Sequence, residues 1–384
     1  MQNRKCKILL CVMLLVISIP FILSGCTEQR NDQNYVTARY DELISKSEDA
    51  VCWALNVRWG NTDTDLYIEE KDGQIKSKWD YNLDADPYYY SPLISGDYLY
   101  YIGGTYDYDT KDVYIARIDY TKKNPEIEQI TENYLEIDSY TILENTIYFS
   151  AYKKVGEISV EGNLYIKELS NEKEEVLIKE GPSEFCTNGE KIIASNKIYD
   201  IETKKVELLH DNENLMTLGV FNNKYYCYYT GKNSEGYPDN YETVLQIDLN
   251  NYSAKKICEI PNGMTYPRLC DDKILFADIA KDCSTVGFYY YNIPTGEVVT
   301  VIESDNSSER YIDDNHEPIP MDYIIFNNNF YFHYGDDAIT RVDMDTKKET
   351  VFKQLPAGTT DEGDYKYSYE WLSPKDYMSS VLVN

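Results

Sequence analysis

Short apolar stretches along this chain alternate with polar two-residue turns, and the alternation recurs. Leu93-Ile94 lead through Gly96-Asp97 to Leu99-Tyr100-Tyr101-Ile102, and Ile142-Leu143 through Glu144-Asn145 to Ile147-Tyr148-Phe149. Phe185-Cys186 lead through Gly189-Glu190 to Ile192-Ile193-Ala194, and Val220-Phe221 through Asn222-Asn223 to Tyr225-Tyr226-Cys227. Leu269-Cys270 lead through Asp271-Asp272 to Ile274-Leu275-Phe276, and Ile324-Ile325-Phe326 through Asn327-Asn328 to Phe330-Tyr331-Phe332. Gly, Asn and Asp tolerate the positive φ of a tight hairpin, so each copy predicts two antiparallel strands. The turns stand 48, 45, 33, 49 and 56 residues apart.

Each hairpin is followed by a second one. Val113 to Asp119 precedes Glu126 to Ile130, Leu164 to Leu169 precedes Glu175 to Ile178, and Lys197 to Ile201 precedes Val206 to Leu209. Val244 to Leu249, Phe288 to Ile293 and Ile339 to Met344 open the later pairs. Four strands per ~40–50 residues is the period of a propeller blade. The expected fold is therefore all-β, a β-propeller of four-stranded antiparallel blades over residues 50–384. Seven blades fit best, with six or eight as alternatives. The seventh is expected to be shared, with strands from Cys52 to Trp79 completed by the stretch Tyr367 to Val383, which would close the ring and remove its edges. The units resemble the YWTD-like propeller of low-density-lipoprotein-receptor type found in bacterial lipoproteins. That resemblance rests on the hairpin signature and on Ile118-Asp119, Ile247-Asp248 and Val342-Asp343, each followed by a polar turn. It implies the architecture; fold alone assigns no activity.

The first residues read differently. Arg4, Lys5 and Lys7 precede an apolar run from Ile8 to Leu23, then Ser24, Gly25 and Cys26. A basic start, a short apolar core and small residues before a cleavage point make an export signal over 1–25. Leu23-Ser24-Gly25-Cys26 resembles the lipobox of bacterial lipoproteins, which implies lipidation of Cys26 and a partner in the membrane it anchors to. Residues 26–49 are expected to form a tether, with Val36, Tyr40, Leu43 and Ile44 at the spacing of one short helix.

Composition narrows the partners. Removing residues 1–25, with their three basic residues and no acid, takes the formal net charge from −29 to −32. Phosphate binding needs basic surface, so nucleic acid is excluded as a partner. Thirty-nine tyrosines and 42% hydrophobic residues fit a folded β protein better than an acidic tail. Of nine cysteines, Cys52, Cys186, Cys227, Cys258, Cys270 and Cys283 remain beyond Cys26. Most lie within apolar strand patterns and no CxxC occurs, so buried thiols are preferred to disulfides.

Sorting the loops by strand order gives two unlike faces. The third-to-fourth turns repeat lysines at Lys122-Lys123, Lys204-Lys205, Lys255-Lys256 and Lys347-Lys348. The opposite loops and links are acidic and aromatic, and the candidate ligand contacts are Tyr88, Tyr89, Tyr90, Asp107, Asp109, Tyr237, Asp239 and Tyr311. No catalytic or metal set stands out, and no cofactor is called for. His316 beside Asp313, Asp314 and Glu317 reads as a hydrated loop. Asp107, Asp109 and Asp112 have the opening spacing of a calcium loop, but Asp112 stands where its sharp turn needs glycine. The leading expectation is an exported, lipid-anchored binding or scaffold propeller for an extracytoplasmic glycan, peptide or protein. The alternative is a carbohydrate-active hydrolase with two central carboxylates ~5–9.5 Å apart.

Overall fold

The structure, a computed structural model, describes residues 37–39, 43–55, 65–77, 90–106, 111–122, 124–155, 159–171, 173–211, 214–232, 238–261, 267–279, 286–303, 322–334, 338–359 and 365–376. A short strand β1 (Thr37–Arg39) comes first. Blade 1 is β2 (Ile44–Lys46), β3 (Ala50–Leu55), β4 (Asp65–Glu70) and β5 (Ile75–Ser77). Blade 2 is β6 (Tyr90–Ser95), β7 (Tyr98–Tyr106), β8 (Lys111–Asp119) and β9 (Glu128–Gln129). Blade 3 is β10 (Glu136–Leu143), β11 (Thr146–Val155), β12 (Ser159–Glu168) and β13 (Glu175–Lys179). The short blade 4 is β14 (Cys186–Thr187), β15 (Lys191–Ala194), β16 (Lys197–Asp200) and β17 (Val206–Leu208). Blade 5 is β18 (Met216–Phe221), β19 (Lys224–Lys232), β20 (Pro238–Asp248) and β21 (Ala254–Pro261). Blade 6 is β22 (Arg268–Cys270), β23 (Lys273–Ile279), β24 (Val286–Asn292) and β25 (Glu297–Ile302). Blade 7 has five strands, β26 (Tyr323–Phe326), β27 (Asn329–Tyr334), β28 (Ala338–Asp343), β29 (Glu349–Thr359) and β30 (Tyr365–Leu372).

The protein is thus an all-β, seven-bladed propeller. First strands of successive blades meet around the axis, β2 touching both β6 and β26, and β22 touching β18 and β26. The apolar clusters lie between blades. Tyr100, Ile115, Tyr140 and Phe149 fill the space between blades 2 and 3, and Tyr225, Cys227, Ile193 and Ile198 that between 4 and 5. The hairpin turns fall where the pattern placed them, with positive φ at Gly96, Glu144, Asn222, Asn223, Asp271, Asn327 and Asn328.

Two expectations are corrected. Residues 37–39 and 44–46 are strands, because β1 finds an open strand edge on β10 and Ile44 is fully buried as part of the first strand of blade 1. Tertiary pairing overrides the helical spacing. Among the described residues, no blade is shared between the chain ends. Since β2 completes blade 1 from its own segment, the terminal strand β30 adds to the outside of β29.

The ring closes instead by packing between blades 7 and 1. Trp53 stacks on Tyr67 at 5.9 Å and meets Phe352 edge-on at 5.3 Å, and Phe352 meets Trp371 of β30 at 5.4 Å. Arg341 lies 4.1 Å over the Trp371 ring and donates to Glu69 at 2.7 Å, while the Tyr331 hydroxyl donates to the same carboxylate at 3.1 Å. Burial pushes the Glu69 carboxyl up, and Arg341 opposes it. His333 Nε2 bonds Ala54 O across the seam at 2.8 Å. Trp371 is partly buried, so Trp371→Ala is expected to cost ~2 kcal/mol, less than the ~3–5 kcal/mol of a fully buried tryptophan. A denaturant midpoint equal to the parent's would show that β30 contributes nothing to closure.

Candidate functional site

Strand polarity sorts the loops. The first-to-second and third-to-fourth turns of every blade share one end of the ring, here the turn face. The second-to-third loops and the links between blades share the other, the loop face. On the turn face, Asp119, Asp200 and Asp343 cap their turns in the same way. Thr121, Thr203 and Thr346 each donate a hydroxyl to the aspartate, at 2.6, 2.7 and 2.8 Å. The Asp119 carboxyl is held low first by the Thr121 hydroxyl, and those of Asp200 and Asp343 first by the backbone N–H of Thr203 and Thr346. The recurring Ile-Asp and Val-Asp pairs are therefore turn caps. Lys122, Lys204, Lys205, Lys255, Lys256, Lys347 and Lys348 are exposed around them, with Lys204 and Lys347 at positive φ; Lys123 lies outside the described residues. The first-to-second turns on the same face are acidic at Glu48, Asp49, Asp97, Glu144, Glu190, Asp271 and Asp272.

Of the candidate ligand contacts, Tyr88, Tyr89, Asp107, Asp109, Tyr237 and Tyr311 lie outside the described residues, as do Cys26, Cys283 and the His316 cluster. Tyr90 opens β6 opposite Ile102, and Asp239 is the second residue of β20. Both are at the loop-face ends of their strands. Cys52, Cys186, Cys227, Cys258 and Cys270 are thiols in no disulfide, and burial pushes Cys227 and Cys258 up to about 12, where they stay protonated.

The loop-face end of β10 holds carboxylates that the sequence did not single out. Asp138 is the extra residue of a β-bulge between Ile137 and Ser139. Its carboxyl is pushed up to about 6, chiefly by burial, with Glu136 and Glu184 adding to the rise and a hydrogen bond from Tyr152 opposing it. In blade 5, burial alone pushes Glu242 of β20 up to about 7, and its Oε2 has no partner among the described residues. Both residues sit in strands whose alternation reads as surface.

The axial edge of β10 is occupied. β1 pairs antiparallel with the axial side of β10, Thr37 opposite Thr141, Ala38 opposite Tyr140 and Arg39 opposite Ser139, and it also approaches β6. Ser139 and Tyr140 are fastened sideways, the Ser139 hydroxyl donating to Ser183 O and the Tyr140 hydroxyl to Ser91 O, both at 2.6 Å. Away from the axis, a groove of about 220 Å³ opens at the rim between blades 3 and 4, lined by Leu177, Ile192, Tyr199 and Val206.

No protein-family model matches the chain, and no curated protein matches it by sequence. Solved structures do. The β-propeller domain of the Trilobed protease from Pyrococcus furiosus aligns with a TM-score of 0.53 at 11% identity, over 89% of this chain and 98% of that one. The fold is the likeness. A prolyl endopeptidase aligns at 0.53 and 12% identity, and puromycin hydrolase at 0.50 and 10%. They are matched over 88% and 89% of this chain, which spans only 54% and 59% of theirs. The expected kinship with the low-density-lipoprotein-receptor type is overturned: the matching propellers belong to proteases and hydrolases, and the aspartate pairs behind that resemblance are turn caps. The Pyrococcus domain is described as having an open velcro topology. In this chain no described blade combines strands from the N-terminal and C-terminal ends. No helix among the described residues is long and apolar enough to cross a membrane.

Proposed function

We propose that this chain is an exported binding propeller, held at the outer side of a membrane by lipid on Cys26, that turns its loop face outward toward a peptide, protein or glycan. The observation that carries this reading is the polarity of β1. β10 runs from the loop face to the turn face, and β1 runs against it, with Thr37 toward the turn face and Arg39 toward the loop face. The chain reaching back to Cys26 therefore leaves β1 on the turn face. Eleven residues of extended chain span at most ~40 Å, so the lipid holds the turn face near the membrane. The loop face, where the strand ends at Tyr90 and Asp239 lie, then points away from it. Lysines beside anionic headgroups gain ~1 kcal/mol each, but the acidic first-to-second turns offset them, so the lipid is the anchor and the charge is secondary.

Cys26→Ala is expected to move the protein from the membrane to the soluble fraction; normal attachment of that variant overturns the anchor. Orientation is read separately on whole cells, by the labelling rate of new thiols with a bulky maleimide. Asp109→Cys is expected to react at least ten times faster than Lys204→Cys. Equal rates, or the reverse order, overturn the outward loop face.

A further inference from the structure

In a propeller blade the first strand pairs outward with the second. Its other edge presents a row of backbone N–H and C=O groups to the axis, and such an edge is a template for one more strand. In six blades the described residues pair no strand with that edge; in blade 3 it carries β1. β10 is built to hold its edge still. The Ser139 hydroxyl ties it to Ser183 before blade 4 and the Tyr140 hydroxyl ties it to Ser91 of blade 2, while Ser139, Tyr140 and Thr141 are all buried. With those side chains committed sideways, what faces the axis is backbone. The partner is only three residues long, and its pairing is main-chain pairing, a mode that gives affinity to any extended peptide of compatible flanks.

The flank is defined at one end. The Asp138 bulge ends the regular register next to Ser139, the partner of Arg39. Glu136, Asp138 and Glu184 interact there around Tyr152. In register, the loop-face end of a strand added to β10 comes next to the acidic bulge, and in β1 the residue at that end is Arg39.

We propose that the axial edge of β10 over Ser139–Thr141 is a peptide-binding site. It takes an extended peptide as an antiparallel inner strand, with a basic residue at the register position of Arg39, and β1 is its built-in occupant, displaced when the peptide binds. This rests on the reading of the protein as a binding propeller and names its ligand class.

The test uses the mature chain and a fluorescent synthetic peptide of residues 33–42. Ala38→Pro removes a backbone donor from β1 and leaves the blades untouched. The peptide is expected to bind this variant at least ten times more tightly than the parent. Amides of Ser139–Thr141 should exchange faster in the variant alone and regain protection with peptide. A peptide with glutamate in place of arginine should bind at least ten times more weakly. Should the variant fail to fold, the parent decides: saturating peptide must slow no exchange at Ser139–Thr141 but must expose residues 37–39 to protease. The proposal is overturned if the peptide binds neither chain, if protection at Ser139–Thr141 ignores both substitution and peptide, or if the glutamate peptide binds equally well. Failure here with membrane attachment and labelling as expected removes the peptide site alone; failure of those two assays removes the outward-facing reading instead.

Discussion

Asp322→Ala is expected to destabilise the protein by ~3–5 kcal/mol, the range for removing one partner of a buried ion pair. Asp322 precedes β26, and its carboxylate does three things at once. It accepts the backbone N–H groups of Leu43 and Ile44, both at 2.7 Å, and it pairs with Arg268 of β22. Arg268 in turn donates to Ile44 O at 3.0 Å. The two side chains are only 11% and 14% exposed. One carboxylate therefore joins the first strands of blades 6, 7 and 1 at the point where the ring closes. Its loss removes the counter-charge of the Arg268 guanidinium and the acceptor of two amides in a site with little water, and such a loss costs more than the bond itself is worth. The denaturant midpoint measures the effect, and exchange at the amides of Leu43 and Ile44 should rise before that of other first strands. Arg268→Ala with Asp322→Ala together should cost clearly less than the sum of the two alone. A loss below ~1 kcal/mol for Asp322→Ala, or strict additivity, would mean that the aromatic seam closes the ring unaided.

Glu242→Gln should stabilise the protein at pH 8 and change it little at pH 4.5. The side chain is 7% exposed, and burial raises its carboxyl to about 7 from an ordinary 4.5. The folded state thus holds a proton that the unfolded chain releases. The stability tied to that proton is complete below pH ~4.5, is lost as pH rises through about 7, and stays lost above it. The full loss is on the order of 3 kcal/mol. Glutamine cannot ionise, so the variant escapes the loss while keeping the shape. Unfolding at the two pH values gives the answer, and a variant-to-parent difference that is the same at both would show that Glu242 is solvated when charged.

What could be read from the chain alone follows the length scale of each interaction. The hairpins were legible because a tight turn places a local demand on backbone φ, and Gly96, Asn222, Asn223 and Asn328 answer it with residues that tolerate positive values. Blade 1 was half hidden. Its first strand has three residues, its turn runs through Ser47 without an Asn or Gly pair, and its anchor Asp322 lies 278 positions from Ile44. Nothing local signals such a bond. Asp138 and Glu242 are not legible because a carboxylate in an alternating strand reads as solvent-facing, whereas in the fold Asp138 is half-buried and Glu242 buried. The tyrosine and aspartate loops were picked out by composition, and most fall outside the described residues, so the loop face is known through the strand ends of Tyr90 and Asp239.

A ring whose described blades share no strands between the chain ends can change its blade number over evolutionary time. Among the described residues the four principal strands of every blade come from one stretch of chain, with β1 on blade 3 the single strand lent from elsewhere, so an in-frame duplication or loss of ~40–50 residues adds or removes a whole wedge without re-pairing those four strands. A ring stitched by a mixed blade must keep both ends in place through such an event. Here only a surface has to be re-matched, a patch of aromatic rings and a carboxylate beneath it, and side-chain contacts of that kind can be retuned one substitution at a time.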